Sequence, residues 1–369
     1  MEWWMNMRTR RLTVLAVVAV IAAACGGTSE ADAEAGAGAV IEELVGLDTE
    51  TRRSRLIELS GSEEAEVTFY TTMNIDDSGV VLDAFEDAYD IEVNLYRASA
   101  SSVLQRVLQE TDAGFAGADL IAVGAAEMTV FDEEGVLEEL DTPYVDEIVA
   151  SAVHATWAGI YLNVFAASWN DATAEAGRAP TTWEEVLSGY QGGLVMEISD
   201  FDWFGALVED YFVGTLGYSE DEAVDLFRSA ATEARGIEGH SLMAELLAGG
   251  EFDVAASTYQ HGVERFRARG APISWEPAVE PLVMRPTGIG LHRDAQAPAK
   301  ALLFIDFMLT EAQPILAELH RTPANQSVDG GIPVGYEVIS VSDSVLGEDR
   351  QKWEALYEQV IGAGSESSG

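Results

Sequence analysis

Short apolar runs rich in β-branched and aromatic residues alternate with stretches of helical periodicity through most of the chain. Val67 to Tyr70 reads as a buried strand, Thr71 to Ser78 as a polar loop, and the spacing of Val80, Leu82, Phe85 and Tyr89 as the apolar face of a helix. The unit repeats. Ile91 to Tyr96 is predicted as a strand, Arg97 to Ser102 as its loop, Val103 to Glu110 as a helix, and Asp119 to Val123 as a third strand. The rhythm breaks between Trp157 and Trp169. It resumes with a helix from Thr182 to Leu187, a strand from Leu194 to Ile198, helices near Phe204 to Gly214 and Glu222 to Ala234, and a strand from Asp253 to Ser257. Ala299 to Leu309 is apolar almost all round, which predicts a helix buried on every side. Such alternation predicts an α/β fold on largely parallel sheets. In open sheets of this kind ligands sit beyond the carboxyl ends of the strands, so function is sought in the loops that follow them.

The ends of the chain read differently. Arg8, Arg10 and Arg11 precede an apolar run from Leu12 to Ala24, and Ala22-Ala23-Ala24 stands directly before Cys25. A helix rising about 1.5 Å per residue over that run falls short of the roughly 30 Å hydrocarbon core, so the segment is an export signal and not a span. It resembles a bacterial lipoprotein signal, which implies cleavage before Cys25 and acylation of its thiol. An ordinary signal peptide containing a cysteine is the second reading, and both place the mature chain outside the cytoplasmic membrane. Residues 1–24 are thus the expected signal and 25–39, of Gly, Ser, Ala and acids, a flexible tether. The folded part is expected from Val40, opening with a broken amphipathic helix to Leu59. Residues 363–369 are the expected disordered tail.

Charge narrows the function classes. The 369 residues hold 64 Asp and Glu against 20 Lys and Arg, a formal charge of -44. A field of this sign repels nucleic acid and anionic membrane surfaces, leaving membrane contact to the lipid anchor alone. The acidity reads first as a solubility and salt-tolerance device. Cys25 is the single cysteine, which excludes an internal disulfide and a CxxC site. The length exceeds what one core usually organises, so two lobes are expected.

The order VTFYTTMN, VLQRVLQE, ADLI, GVLEEL, TWEEVLSGYQGGLVM, GHSLMAELLAGGEFDVA, RARGAPISW and APAKALLFIDFMLTEAQPILAELHRTPAN resembles the bacterial extracellular solute-binding proteins of the ferric-iron type that serve ATP-binding-cassette (ABC) importers. The resemblance implies a two-lobed Venus-flytrap fold of the second periplasmic-binding type, a solute held in the cleft, and a membrane permease as partner; a monomer is expected. The break at Trp157 to Asn170 is the expected crossing between lobes and Pro281 to Gly290 the return, giving two hinge crossings. The boundaries follow as 40–165 for the first lobe, 166–284 for the second, and 285–362 for the return to the first lobe with the C-terminal helices.

Iron carriers of this type use a His in the first loop, a Tyr pair after a late strand and sometimes an Arg-x-Arg pair in the crossover. Here those positions hold Asn74, Tyr259 with Gln260, and Asn163 with Phe165. Fe³⁺ favours anionic oxygen, and each departure removes charge or a hard donor. What remains is polar and mostly neutral: Thr71, Thr72 and Asn74; Ser99 and Ser101 with Ser102; Tyr259, Gln260 and His261. Such groups suit an organic solute or an oxyanion. Asp202 with Trp203 would suit a cationic amine, while the competing reading makes Asp200 a helix cap and Trp203 core. Arg285 would clamp an anion or serve a structural ion pair.

The five histidines have no HxxxH or HxH spacing, so no resident metal and no cofactor is expected. A secreted hydrolase is the rival class, yet the chain has no GxSxG, HExxH or CxxC, and Asp200 and Asp202 have no nucleophile brought to them. The chain is therefore expected not to be an enzyme. A sensory or scaffolding lipoprotein that binds no solute is the third alternative.

Overall fold

The computed structural model describes residues 36–173, 179–190, 192–332 and 335–366. The signal segment, Cys25 and most of the tether lie outside the described residues, as do the last three residues. Helix Ala37–Leu44 begins inside the segment read as tether, and helix Arg350–Glu366 runs into the segment read as tail. Among the described residues no helix is long and apolar enough to cross a membrane.

The strands in chain order are β1 (Val67–Thr71), β2 (Val93–Arg97), β3 (Leu120–Gly124), β4 (Trp157–Asn170), β5 (Leu194–Glu197), β6 (Arg235–Ile237), β7 (Val254–Tyr259), β8 (Ile273–Ser274), β9 (Leu282–Leu291), β10 (Thr322–Pro323) and β11 (Val338–Ser340). They join in one sheet whose main path runs β2-β1-β3-β9-β4-β7-β5-β6. The first three strands of that path are mutually parallel, as are the last three. Each parallel strand is followed by a helix, the βαβ pattern that the alternating periodicity predicts.

β4 and β9 differ from the rest. They lie antiparallel to each other, β9 also to β3 and β4 also to β7, and they are the two crossings between the halves of the sheet. All of β4 is buried, which explains the break in the pattern there: a strand covered on both faces shows no alternation of apolar and polar positions. The register on β9 brings the halves together. Thr287 faces Gly124 at the end of β3, Arg285 faces Asn163 of β4, and Val283 faces Phe165, which in turn faces Tyr259 at the end of β7. The carboxyl ends of both parallel sets therefore converge on a five-residue stretch of one strand.

Each half has its own packing. In the first, Phe85 meets Phe304 and Phe307 edge to face, Phe69 packs tilted on Phe304, and helix Pro298–Leu309 is buried almost all round, as its composition predicts. A buried ion pair, Arg52 Nε to Asp306 at 2.8 Å, ties helix Thr49–Ser60 to that helix. In the second, Trp183, Trp203, Phe204, Phe227 and Trp353 form the aromatic centre. The C-terminal residues also belong here: β11 pairs with β9 at Leu282 to Met284, and helix Arg350–Glu366 packs on Glu220–Glu233 and Phe201–Ala206. After β10, therefore, the chain packs with the second half, whereas 285–362 was expected to return to the first lobe as a whole.

Candidate functional site

The converging strand ends leave a cleft of about 640 Å³ between the halves. From the first half it is lined by Thr72 and Asn74 after β1, by Arg97 at the end of β2 with Ser99 and Ser101 beyond it, and by Gly124 at the end of β3 with Glu127 beyond it. From the second come Glu197 at the end of β5 with Ser199 beyond it, Glu238, Gly239 and His240 after β6, and Tyr259 at the end of β7 with His261 beyond it. Tyr161, Asn163 and Arg285 on the crossing strands lie beneath, and the C-terminal helix adds Arg350, Glu354 and Tyr357. The loops that follow parallel strands supply most of the wall, as this sheet class requires.

Arg285 is the hub. Its Nη1 pairs with the carboxylate of fully buried Asp202, and its Nη2 donates to the Tyr259 hydroxyl at 2.6 Å. Burial opposes a charge there, but Asp202 and the neighbouring acids prevail and hold the guanidinium protonated. Burial likewise pushes the Tyr259 phenol far above its ordinary value, so it stays protonated despite Arg285. Tyr259 stacks on His240 with ring centroids 3.7 Å apart, and His240 Nε2 lies 3.1 Å from Asp200. Glu197 accepts from the Ser199 backbone N–H at 2.6 Å and the Gly239 N–H at 2.9 Å, which ties the loops after β5 and β6 together. Burial, with Asp200 adding to it, raises the Glu197 carboxyl, and burial raises that of Glu127 against the pull of Arg285 and Arg350.

The sequence-derived site residues divide into three groups. Thr72, Ser99, Ser101, Tyr259, His261 and Arg285 line the cleft. Asn74 reaches it too, but its side chain caps helix Ile75–Tyr89, accepting from Asp77 N–H at 3.0 Å and donating to the Asp77 carboxylate at 2.7 Å. Thr71, Gln260, Asp202 and Trp203 are buried behind the wall. Thr71 accepts from Met73 N–H within its own turn. Trp203 packs on Trp183 and Phe227 in the core, so it offers no ring face to a solute, and Asp202 spends its charge on Arg285. The amine site read at Asp202 and Trp203 is corrected accordingly. Asp200 makes no side-chain cap hydrogen bond and faces His240 instead.

Sequence reading passed over Glu127, Glu197, Glu238, Arg321 and the C-terminal helix. Glu238 follows β6 directly, so the loop rule alone would have found it, whereas Glu197 is the last residue of β5 and Glu127 lies in the first turn of helix Ala125–Glu133. Arg321, paired with Asp77 through Nε at 2.8 Å and lying 4.2 Å from the Tyr161 ring centroid, carries no local signal. Nor does Arg350, which bridges to the first half by donating to Ala126 O at 2.6 Å.

Two halves of one α/β sheet, joined by antiparallel crossing strands and facing each other across a cleft fed by strand-end loops, define a two-lobed binding protein of the second periplasmic type. The chain belongs to the family of bacterial extracellular solute-binding proteins, whose model matches residues 77–313. Among solved structures it is similar to the periplasmic binding protein AfuA from Actinobacillus pleuropneumoniae with exogenous fructose-6-phosphate bound, at 18% identity over 81% of this chain and 99% of that one, TM-score 0.70. It is also similar to iron-bound HitA from Pseudomonas aeruginosa, at 14% identity over 80% and 99%, TM-score 0.67. The apo ferric ion-binding protein A from Pasteurella haemolytica is 18% identical over 82% and 98%, TM-score 0.62. At these identities the likeness is one of fold. No curated protein sequence matches the chain. The family and these neighbours are binding proteins.

Proposed function

We propose that this protein is the extracytoplasmic receptor of an ABC importer, anchored by lipid at Cys25, which captures a small organic solute by closing its two lobes and hands it to a membrane permease. The observation that carries the reading is the convergence of both sets of strand ends on Thr287, Arg285 and Val283 of one crossing strand. A small molecule resting there touches both halves at once, so its binding favours whichever arrangement brings them together. The anchor suits this role, because tethering keeps a receptor at high local concentration beside a membrane partner.

Iron fits the cleft poorly as cargo. The one phenol at the expected position is Tyr259, held protonated and already accepting from Arg285. Asn74 is engaged with Asp77, and among the described residues no group of three or more His, Cys, Asp or Glu is arranged to hold a metal ion. Thermal-shift screening of the purified protein against ferric citrate, sugars, sugar phosphates, amino acids and amines tests the reading. One organic class should raise the melting temperature, and Asn163→Ala or Tyr259→Ala should abolish that rise. Stabilisation by ferric iron alone, or by nothing in the panel, would count against it.

A further inference from the structure

The charged groups around the cleft are unequally matched. Three of its arginines are spent within the protein: Arg285 on Asp202, Arg321 on Asp77, and Arg350 on Glu354 through Nε at 2.8 Å. Only Arg97, exposed at the rim, has no carboxylate partner among the described residues. The acids are the reverse case. Glu127, Glu197, Glu238 and Glu358 line the cleft, and among the described residues none has an arginine or lysine within ion-pairing distance. Glu197 is satisfied by backbone and hydroxyl donors, all of them neutral. Glu238 and Glu358 are exposed at the mouth, one on the loop after β6 and the other on helix Arg350–Glu366, while Glu127 lies half-buried further in. Desolvation raises the Glu127 and Glu197 carboxyls, outweighing the pull of Arg285 and Arg350 on the first and of neutral hydrogen-bond donors and His240 on the second.

Resting on the receptor reading above, we infer that the solute is a small organic cation, an amine, whose positive charge offsets this surplus of carboxylates. Neutral hydroxyls and the Asn163 amide then orient its remaining atoms without competing for the charge. The molecule as a whole carries -44, and the matching of arginines leaves its binding face with the same sign. That field draws cations toward the cleft and repels free anions. An anionic solute would find only Arg97 at the exposed rim unpaired; at Arg285 or Arg321 it would have to displace Asp202 or Asp77, which leaves a buried carboxylate without its partner.

The full-length chain in detergent is titrated calorimetrically with putrescine, spermidine and choline, and in parallel with glucose, glucose 6-phosphate and citrate. At least one amine should bind, and none of the anions should. Glu238→Gln combined with Glu358→Gln, both at exposed positions, should weaken amine binding by about 10-fold or more, and Glu127→Gln should do the same without lowering the melting temperature of the empty protein. Glu86→Gln with Asp87→Asn, an equal change of charge on the exposed face of helix Ile75–Tyr89, should leave the affinity as it was. Binding of glucose or an anion without any amine would overturn the inference while sparing the receptor reading. Equal weakening by the Glu86 and Asp87 pair would overturn it by assigning the effect to overall charge. Binding of none of the six would overturn it as well, and the wider screen then decides whether the receptor reading stands.

Discussion

Arg285 illustrates how one residue divides between structure and function. Its pairing with Asp202 lies under the cleft floor, so a change there acts through folding before it acts through binding. Asp202→Ala leaves the guanidinium with only the Tyr259 hydroxyl, and removing one member of a buried pair costs about 3–5 kcal/mol. Chemical denaturation should show that loss, while any solute affinity measured on the folded fraction falls by much less than for Tyr259→Ala. A comparable loss of affinity in both would make Asp202 a direct contact. At this scale the sequence was legible where a polar residue follows a parallel strand, as with Thr72, Ser99, Tyr259 and His261. It was silent on orientation. Whether Asp202 and Trp203 face the cleft or the core depends on the helix they open, and that helix is turned by packing of Trp203 against Trp183 and Phe227, which lie far away in the chain.

Among the elements, the helix-strand alternation of β1 to β3 and of β5 to β7 was readable because each strand is short, apolar and followed by a periodic helix. The crossing strands were placed as crossings but not as strands. β9 contains Arg285, Pro286 and two glycines, which obscure any strand pattern, and those glycines have a packing cause. A methyl group on Gly288 would come within 2.3 Å of the Trp157 ring, which is fully buried against His154. Gly288→Ala therefore forces β9 away from β4, and overpacking of this kind costs about 1–3 kcal/mol. A melting temperature equal to that of the unsubstituted protein would show that the sheet yields there. The C-terminal helix was read as part of the first lobe for want of any signal; its allegiance is set by Trp353 and Tyr357 packing on Phe204.

For the whole molecule, the α/β class followed from alternation, two lobes from length and the flytrap type from the family resemblance, while the balance of charge in the cleft needed coordinates, since it depends on which arginine reaches which carboxylate. Acidity also shapes the response to pH. Burial lowers His154, His261 and His292 from their ordinary value of 6.5, and Arg321 and Arg265 add to the effect at His261. A histidine lowered in the folded state takes up its proton first in the unfolded chain, so its contribution is complete above that value and is lost as pH falls toward the lowered one. Glu127 and Glu197, raised in the folded state, act in the opposite sense and favour the fold as they protonate. Between about pH 7.5 and about pH 5.5, His261→Gln should therefore lose less melting temperature than the natural chain. Parallel profiles would mean that His261 titrates as it does in the unfolded state.

On the proposed function, loops from both halves of the sheet grip one small molecule in the cleft. Native mass spectrometry of the protein after exposure to a metabolite extract tests it directly. A single adduct in one-to-one ratio should survive on the natural chain and disappear on Asn163→Ala combined with Tyr259→Ala, with both proteins folded. An adduct retained by that variant, or none on either protein, would contradict it.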